Sequence, residues 1–99
     1  MELFPPLTHF YNAIANDARI GTAHISLYIA LFQQWNLNKG ENPILIERNH
    51  MMKAAKINSR HTYNQCMNNL HEFGYIIYEP AANNVVLSKV KLNYCENEK

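Results

Sequence analysis

The chain has 99 residues, of which 47% are hydrophobic and 11% aromatic, and its formal net charge at pH 7 is +1. This length suits one domain with a small core, and the apolar content excludes a disordered chain. No apolar run approaches the roughly 18 residues that span a bilayer, and there is no signal-peptide pattern, so we expect a cytoplasmic protein with no membrane contact.

Two helices are predicted before residue 37. After Pro5 and Pro6, apolar residues recur at spacings of three and four over residues 7–20, which predicts an amphipathic helix. Thr22 can cap a second helix that ends near Asn36. Apolar residues of this second helix cover more than one face. We therefore expect it to be covered on two sides, by the body of the domain and by either the first helix or a second copy of the chain.

A short strand and a short helix are predicted next. The β-branched run at 44–46 predicts a brief strand. Residues 48–56 predict a helix, although Glu47 in front of it is a weak N-cap.

A fourth helix is predicted over residues 59–73. Ser59 is a good N-cap, and Gly74 can take the left-handed conformation that ends a helix. Apolar residues follow at helical spacing on one face, namely Tyr63, Cys66, Met67, Leu70 and Phe73.

The opposite face of this helix is rich in amides and imidazole, where a solvated face is usually rich in Glu and Lys. It comprises His61, Asn64, Gln65, Asn68 and Glu72, with Arg60 on its flank. Such side chains can bond base edges or reach phosphates. The alternative is a polar face that is amide-rich without a function.

The C-terminal part is predicted to form a hairpin. Strands at 75–80 and 85–92 are joined by the Asn-containing turn 81–84, and residues 93–99 form a flexible tail. The predicted fold is therefore mainly α with a small β-hairpin, in the order of a winged helix-turn-helix over 22–92 with an extra N-terminal helix. Residues 1–99 form one domain.

Charge is unevenly distributed along the chain. Residues 48–91 contain six basic and two acidic residues, a net charge of +4, whereas the rest of the chain has a net charge of −3. This distribution indicates a modest, one-sided basic surface and salt-sensitive DNA binding.

The sequence resembles small winged-helix proteins of Bacteroidetes that are often associated with mobile elements. It is similar in layout to the N-terminal winged-helix domain of DnaD-like replication proteins. The resemblance covers about residues 9–92. It is carried by 23–32, Trp35-Asn36, Asn42-Pro43-Ile44, Lys56-Ile57, Thr62-Tyr63 and 70–76.

The resemblance implies binding of double-stranded DNA through the helix at 59–73, support from the wing, and a homodimer formed through the N-terminal helix. Phe10, Tyr11 and Ile14 are the expected dimer contacts. The chain departs from the family in its wing tip, 81–84, which lacks basic and glycine residues. It also departs at Glu47, where a Ser cap is expected; this costs about 1 kcal/mol.

DNA contacts are expected from the turn and helix at 53–68. Lys89 and Lys91 share one face of a strand, and they are either phosphate contacts or the solvated side of the wing. The full set of candidates is Ser59, Arg60, His61, Thr62, Asn64, Gln65, Asn68, Lys53, Lys56, Lys89 and Lys91.

No catalytic or metal-binding pattern is present. The five histidines are scattered without an H-x-x-x-H or H-E-x-x-H motif, and no glycine loop can hold phosphate. Cys66 lies on an apolar helix face and is expected to be a buried, reduced thiol. We therefore expect a regulator or a replication or mobile-element accessory factor, with no enzymatic activity, no cofactor and no small-molecule substrate. The rival hypothesis is a winged helix used for protein–protein contacts.

Overall fold

The computed structural model describes residues 5–81 and 87–92, with side chains from Leu7 onward. Within these residues, four helices accompany a three-stranded antiparallel sheet, which agrees with the expected mainly helical fold with a small hairpin. The elements are α1 (Pro5–Ile14), α2 (Thr22–Leu37), β1 (Ile44–Glu47), α3 (Arg48–Ala55), α4 (Arg60–Glu72), β2 (Ile76–Glu79) and β3 (Leu87–Leu92). None of the helices in this described part has the length and apolar composition needed to cross a membrane.

The sheet has the strand order β1-β3-β2, so β3 is central and pairs antiparallel with both neighbours. Val90 lies opposite Ile44 on one side and Tyr78 on the other, on the face that packs against the helices. Because side chains alternate along a strand, Lys89 points to the opposite, outer face. The antiparallel pairing of β2 with β3 agrees with the predicted hairpin, and β2 is one residue shorter at each end than predicted. Residues 85 and 86 of the second predicted strand lie outside the described residues. The pairing of β1 with β3 was not predicted.

One hydrophobic core joins α2, α3, α4 and the inner face of the sheet. α2 is its centre, because it contacts both later helices and two of the strands. The largest side chains that are fully buried are Tyr28, Tyr63, Phe10, Leu27, Leu31, Ile44, Met51, Met67, Leu70, Ile76 and Val90. Cys66 is buried and free, as expected. Burial raises the pKa of its thiol, so it stays protonated and unreactive.

The first helix ends earlier than the predicted range of 7–20. α1 begins at Pro5, where proline is tolerated in the first turn, and ends at Ile14. The backbone N–H of Asp17 then donates to the carbonyl of Ile14, and the Asp17 carboxylate accepts from the N–H of Arg19. Asp side chains compete in this way with helical hydrogen bonds, so residues 15–20 form turns instead.

Two helix starts differ from their predicted caps. The N-cap of α2 is Gly21 rather than Thr22, and the Gly21 N–H donates to Nδ1 of His24 over 3.0 Å. Burial lowers the pKa of His24 below 6.5, although the Asp17 carboxylate opposes this shift, and the neutral ring keeps Nδ1 as an acceptor. Glu47 is an effective cap of α3, because its carboxylate accepts from the His50 N–H over 3.1 Å. α3 therefore has a side-chain cap at the position where the sequence predicted a weak one, and the expected cost relative to Ser stays a prediction.

Two predicted segments lie outside the described residues. These are the tip of the wing, apart from Ala81, and the tail at 93–99.

Candidate nucleic-acid interface

α4 begins at a short turn that follows α3. Residues 56–59 connect the two helices, and Lys56 ends α3 in the left-handed conformation with φ of 61°. Ser59 is the N-cap of α4, as predicted, and its hydroxyl oxygen accepts from the Thr62 N–H over 3.2 Å. Lys53 and Lys56 are both exposed at the end of α3, so two positive charges lie immediately before the N-terminus of α4.

The polar face of α4 is exposed along its length, as the periodicity predicted. Tyr63, Cys66, Met67 and Leu70 are buried on the opposite side of the helix. The exposed residues on this polar face are Arg60, His61, Asn64, Gln65, Asn68, His71 and Glu72. Donor and acceptor side chains therefore form a continuous surface on one regular helix.

Thr62 does not belong to this face. At about 100° per residue it lies on the same flank of α4 as Asn69, and both are half-buried. The Asn69 side-chain amide lies 3.0 Å from Nε2 of His24, so this flank packs against α2. The expected contact of Thr62 with DNA is therefore not supported by its position.

Two aromatic residues just after α4, Phe73 and Tyr75, contact the segment between α1 and α2. The Arg19 guanidinium makes two bonds of 2.8 Å to the Asp17 carboxylate and lies 3.9 Å from the centre of the Phe73 ring. The Tyr75 hydroxyl donates to the same carboxylate. These bonds, from Arg19 first and Tyr75 second, hold the pKa of Asp17 well below its usual range. Burial and the bond to Asp17 raise the pKa of Tyr75 to about 12.

A polar cleft of about 380 Å³ lies between α4, the start of α3 and the hairpin. Asn64 of the α4 face lines this cleft, and Arg48 enters it from the first residue of α3. The remaining polar side chains that line it are Glu47, Tyr63, Tyr78 and Ser88. The cleft joins the exposed face of α4 to the inner side of the hairpin.

Arg48 was not among the predicted contacts. Its charge belongs to the basic half of the sequence, but its place beside Asn64 depends on the packing of α3 against the sheet. A helix N-terminus also favours negative ligands, although here Glu47 already provides one negative charge. The sequence signal that points to Arg48 is a basic residue at the start of the helix before the turn.

Lys89 and Lys91 lie away from α4. Both are exposed on the outer face of the sheet, where Lys89 is opposite Glu79 and Lys91 is opposite Ile77. α4 packs against the other face. Of the two alternatives for these lysines, their position agrees with the solvated side of the hairpin rather than with contacts shared with α4.

The three expected dimer residues on α1 have different environments. Phe10 is only 1% exposed and stacks on Tyr28 with ring centroids 3.8 Å apart, so its expected role in a dimer is wrong. Ile14 is half-buried, and Tyr11 is exposed. α1 therefore uses its main apolar side chain within its own subunit.

Comparisons with protein-family models, curated proteins and solved structures found no match to this chain.

Proposed function

We propose that the chain is a winged-helix DNA-binding protein that inserts α4 into the major groove. The observation that carries this proposal is the exposed face of α4, where His61, Asn64, Gln65 and Asn68 follow a capped N-terminus. Asn and Gln can bond adenine with two hydrogen bonds, and the major groove is wide enough for a helix. The neighbouring Arg and Lys side chains attract the DNA phosphates, and these contacts fix the orientation of the helix in the groove.

The order of elements supports the same proposal. α3, the four-residue connection and α4 form two helices joined by a short turn, and the hairpin of β2 and β3 follows. In a winged helix-turn-helix the second helix of this pair reads the groove. We assign phosphate contacts to Arg48, Lys53, Lys56 and Arg60, which are exposed around the N-terminal half of α4.

The biological role we propose is that of a transcriptional regulator or a replication or mobile-element accessory factor. Both roles require the same contact between α4 and a duplex. The assignment involves no catalytic group and no cofactor.

The test is fluorescence anisotropy with a mixed-sequence duplex, titrated at several salt concentrations. A linear fall of log affinity with log salt, equivalent to several released counterions, is expected. Arg60→Glu should abolish binding while the melting temperature stays within about 2 °C, since the side chain is exposed. Lys39→Glu is the matched control, because it makes the same charge change in the loop after α2.

Weak binding with a flat salt dependence would contradict DNA binding and favour a protein-interaction module. One observation favours that second candidate. Leu45, Ile77 and Leu87 are exposed on the outer face of the sheet, where a protein partner could cover them. If Arg60→Glu binds the duplex with the affinity of the wild type, then α4 is not part of the DNA interface.

A further inference from the structure

An apolar groove of about 620 Å³ lies between α2 and α3, on a surface that DNA binding by α4 does not use. Its α2 wall includes Ile25, Ile29 and Leu37. Its α3 wall includes Met51 and Ala54. The groove lies beside the core and is open to solvent along α2.

The apolar residues of this wall project outward. Ile29 is 41% exposed and Leu37 is 65% exposed. Because each step of four residues turns about 40° around a helix, Ile25, Ile29 and Leu37 fall within an arc of about 120° on α2 and extend over about 18 Å. Between them, Ser26 and Ala30 are small and leave a hollow in the groove floor.

α1 does not cover this side of α2. It packs on α2 through Phe10, which stacks on Tyr28, and Tyr28 is on a different side of the helix from Ile29. α2 was expected to be covered on two sides, by the core and by one further element. α1 therefore covers neither Ile29 nor Leu37.

The lack of charged side chains in the groove limits the kind of partner. No Asp, Glu, Lys or Arg is among the described residues that line the groove. A strongly charged peptide would find no complementary group there, whereas a second copy would bring an equally neutral wall and no like-charge repulsion. The exposed Ile29 and Leu37 of one copy also match the hollow at Ser26 and Ala30 of another.

We propose that a second copy of this chain occupies the groove, with α2 packed antiparallel to α2 of its partner across a two-fold axis. In an isologous contact of this kind each surface meets itself, so Ile25 of one protomer approaches Leu37 of the other, and the reverse. The interface is centred between Ile29 and Gln33. It extends the proposed function by assigning the homodimer to α2 and α3 rather than to α1.

The available area sets the expected strength of this dimer. α2 is 16 residues long, or about 24 Å, so one face of it with the flank of the shorter α3 offers less than the roughly 800 Å² per partner of a standard interface. This places the contact towards the lower limit of roughly 1,200 Å² in total for a specific interface. We therefore expect a dissociation constant in the micromolar range.

The test is sedimentation velocity of the full chain from about 1 to 300 μM. Wild type should shift from monomer to dimer, and Ile29→Glu and Leu37→Glu should each remain monomeric with unchanged far-UV circular dichroism. Tyr11→Glu on α1 and Leu45→Glu on the sheet are matched controls at 48% and 52% exposure, and both should still dimerise.

Mixing Ile29→Glu with Gln33→Lys should restore dimers, because the antiparallel two-fold contact places position 29 of one protomer opposite position 33 of the other. If the wild type stays monomeric at every concentration, the proposal is overturned, and the groove would then have to bind a partner other than a second copy. If Ile29→Glu still forms dimers and Tyr11→Glu does not, the proposal is overturned and the dimer contact belongs to α1. Arg60→Glu should dimerise normally, so failure of DNA binding and failure of the dimer are distinguishable.

Discussion

Lys56 occupies a backbone conformation that favours glycine. Its φ is 61°, at the end of α3 and immediately before the turn into α4. An L-residue in this region costs about 1–2 kcal/mol, whereas glycine loses about 0.5–1 kcal/mol through the greater freedom of its unfolded chain. We therefore expect Lys56→Gly to raise the free energy of unfolding by about 0.5–1 kcal/mol and Tm by about 2–8 °C.

The same substitution should weaken DNA binding. It removes one of the positive charges assigned to phosphate, so the slope of log affinity against log salt should become shallower by about 0.9. Lys39 is a matched control, because its φ is also 61° and it lies in the loop after α2. Lys39→Gly should be stabilised by a similar amount and should keep the salt slope of the wild type.

Thermal unfolding by circular dichroism and anisotropy at several salt concentrations measure the two effects. An unchanged salt slope in Lys56→Gly would refute the contact between Lys56 and the DNA backbone. Equal losses of affinity in Lys56→Gly and Lys39→Gly would show that net charge, rather than position, determines binding. A fall in Tm in both variants would refute the argument from backbone strain.

Substitutions at three further positions test the packing and the caps. Phe10→Ala should lower the free energy of unfolding by about 3–5 kcal/mol in urea titrations, because the ring is buried against Tyr28. Ser59→Ala should cost about 1 kcal/mol in the same titrations, whereas Ser59→Asp should retain the cap. The pKa of His24 is lower in the folded chain than in the unfolded chain, so the unfolded chain binds a proton at a higher pH. The free energy of unfolding should therefore fall as the pH drops below 6.5. His24→Gln keeps an acceptor for the Gly21 N–H, and this part of the loss should disappear from its curve of Tm against pH.

α4 was predictable because its signals are local. Ser59, the apolar spacing and Gly74 all lie within one short segment, and the structure has the cap, the buried stripe and a φ of 91° at Gly74. The exposed polar face follows directly from that periodicity. The hairpin was predictable for the same reason, since β-branched residues on both sides of a turn indicate paired strands.

The features that were not predicted depend on distant contacts or on side chains that cap unusually. β1 joins the sheet through β3, whose paired residues lie 40 to 46 positions later in the chain. The cleft between Arg48 and Asn64 forms only when α3, α4 and the hairpin pack together. His24 is not a common capping residue, yet its ring nitrogen occupies the place of a Gln or Glu side chain.

α4 is fixed at both ends and along one flank, which prepares its polar face for binding without rearrangement. Ser59 caps its start, His24 lies against Asn69, and the Nδ1 atom of His71 accepts from the Tyr78 N–H over 3.0 Å. A fixed helix loses little entropy when it binds, so more of its contact energy is retained as affinity.

Charge nevertheless limits what one protomer can achieve. The four phosphate contacts proposed for Arg48, Lys53, Lys56 and Arg60 would correspond to a salt slope of about −3.6. Two protomers joined through the groove between α2 and α3 would double this slope to about −7 and bring two α4 helices to one duplex. Because the second contact then becomes intramolecular, dimerisation would raise affinity without any new side chain at the interface. DNA affinity of the Ile29→Glu monomer should therefore fall although its α4 face is intact.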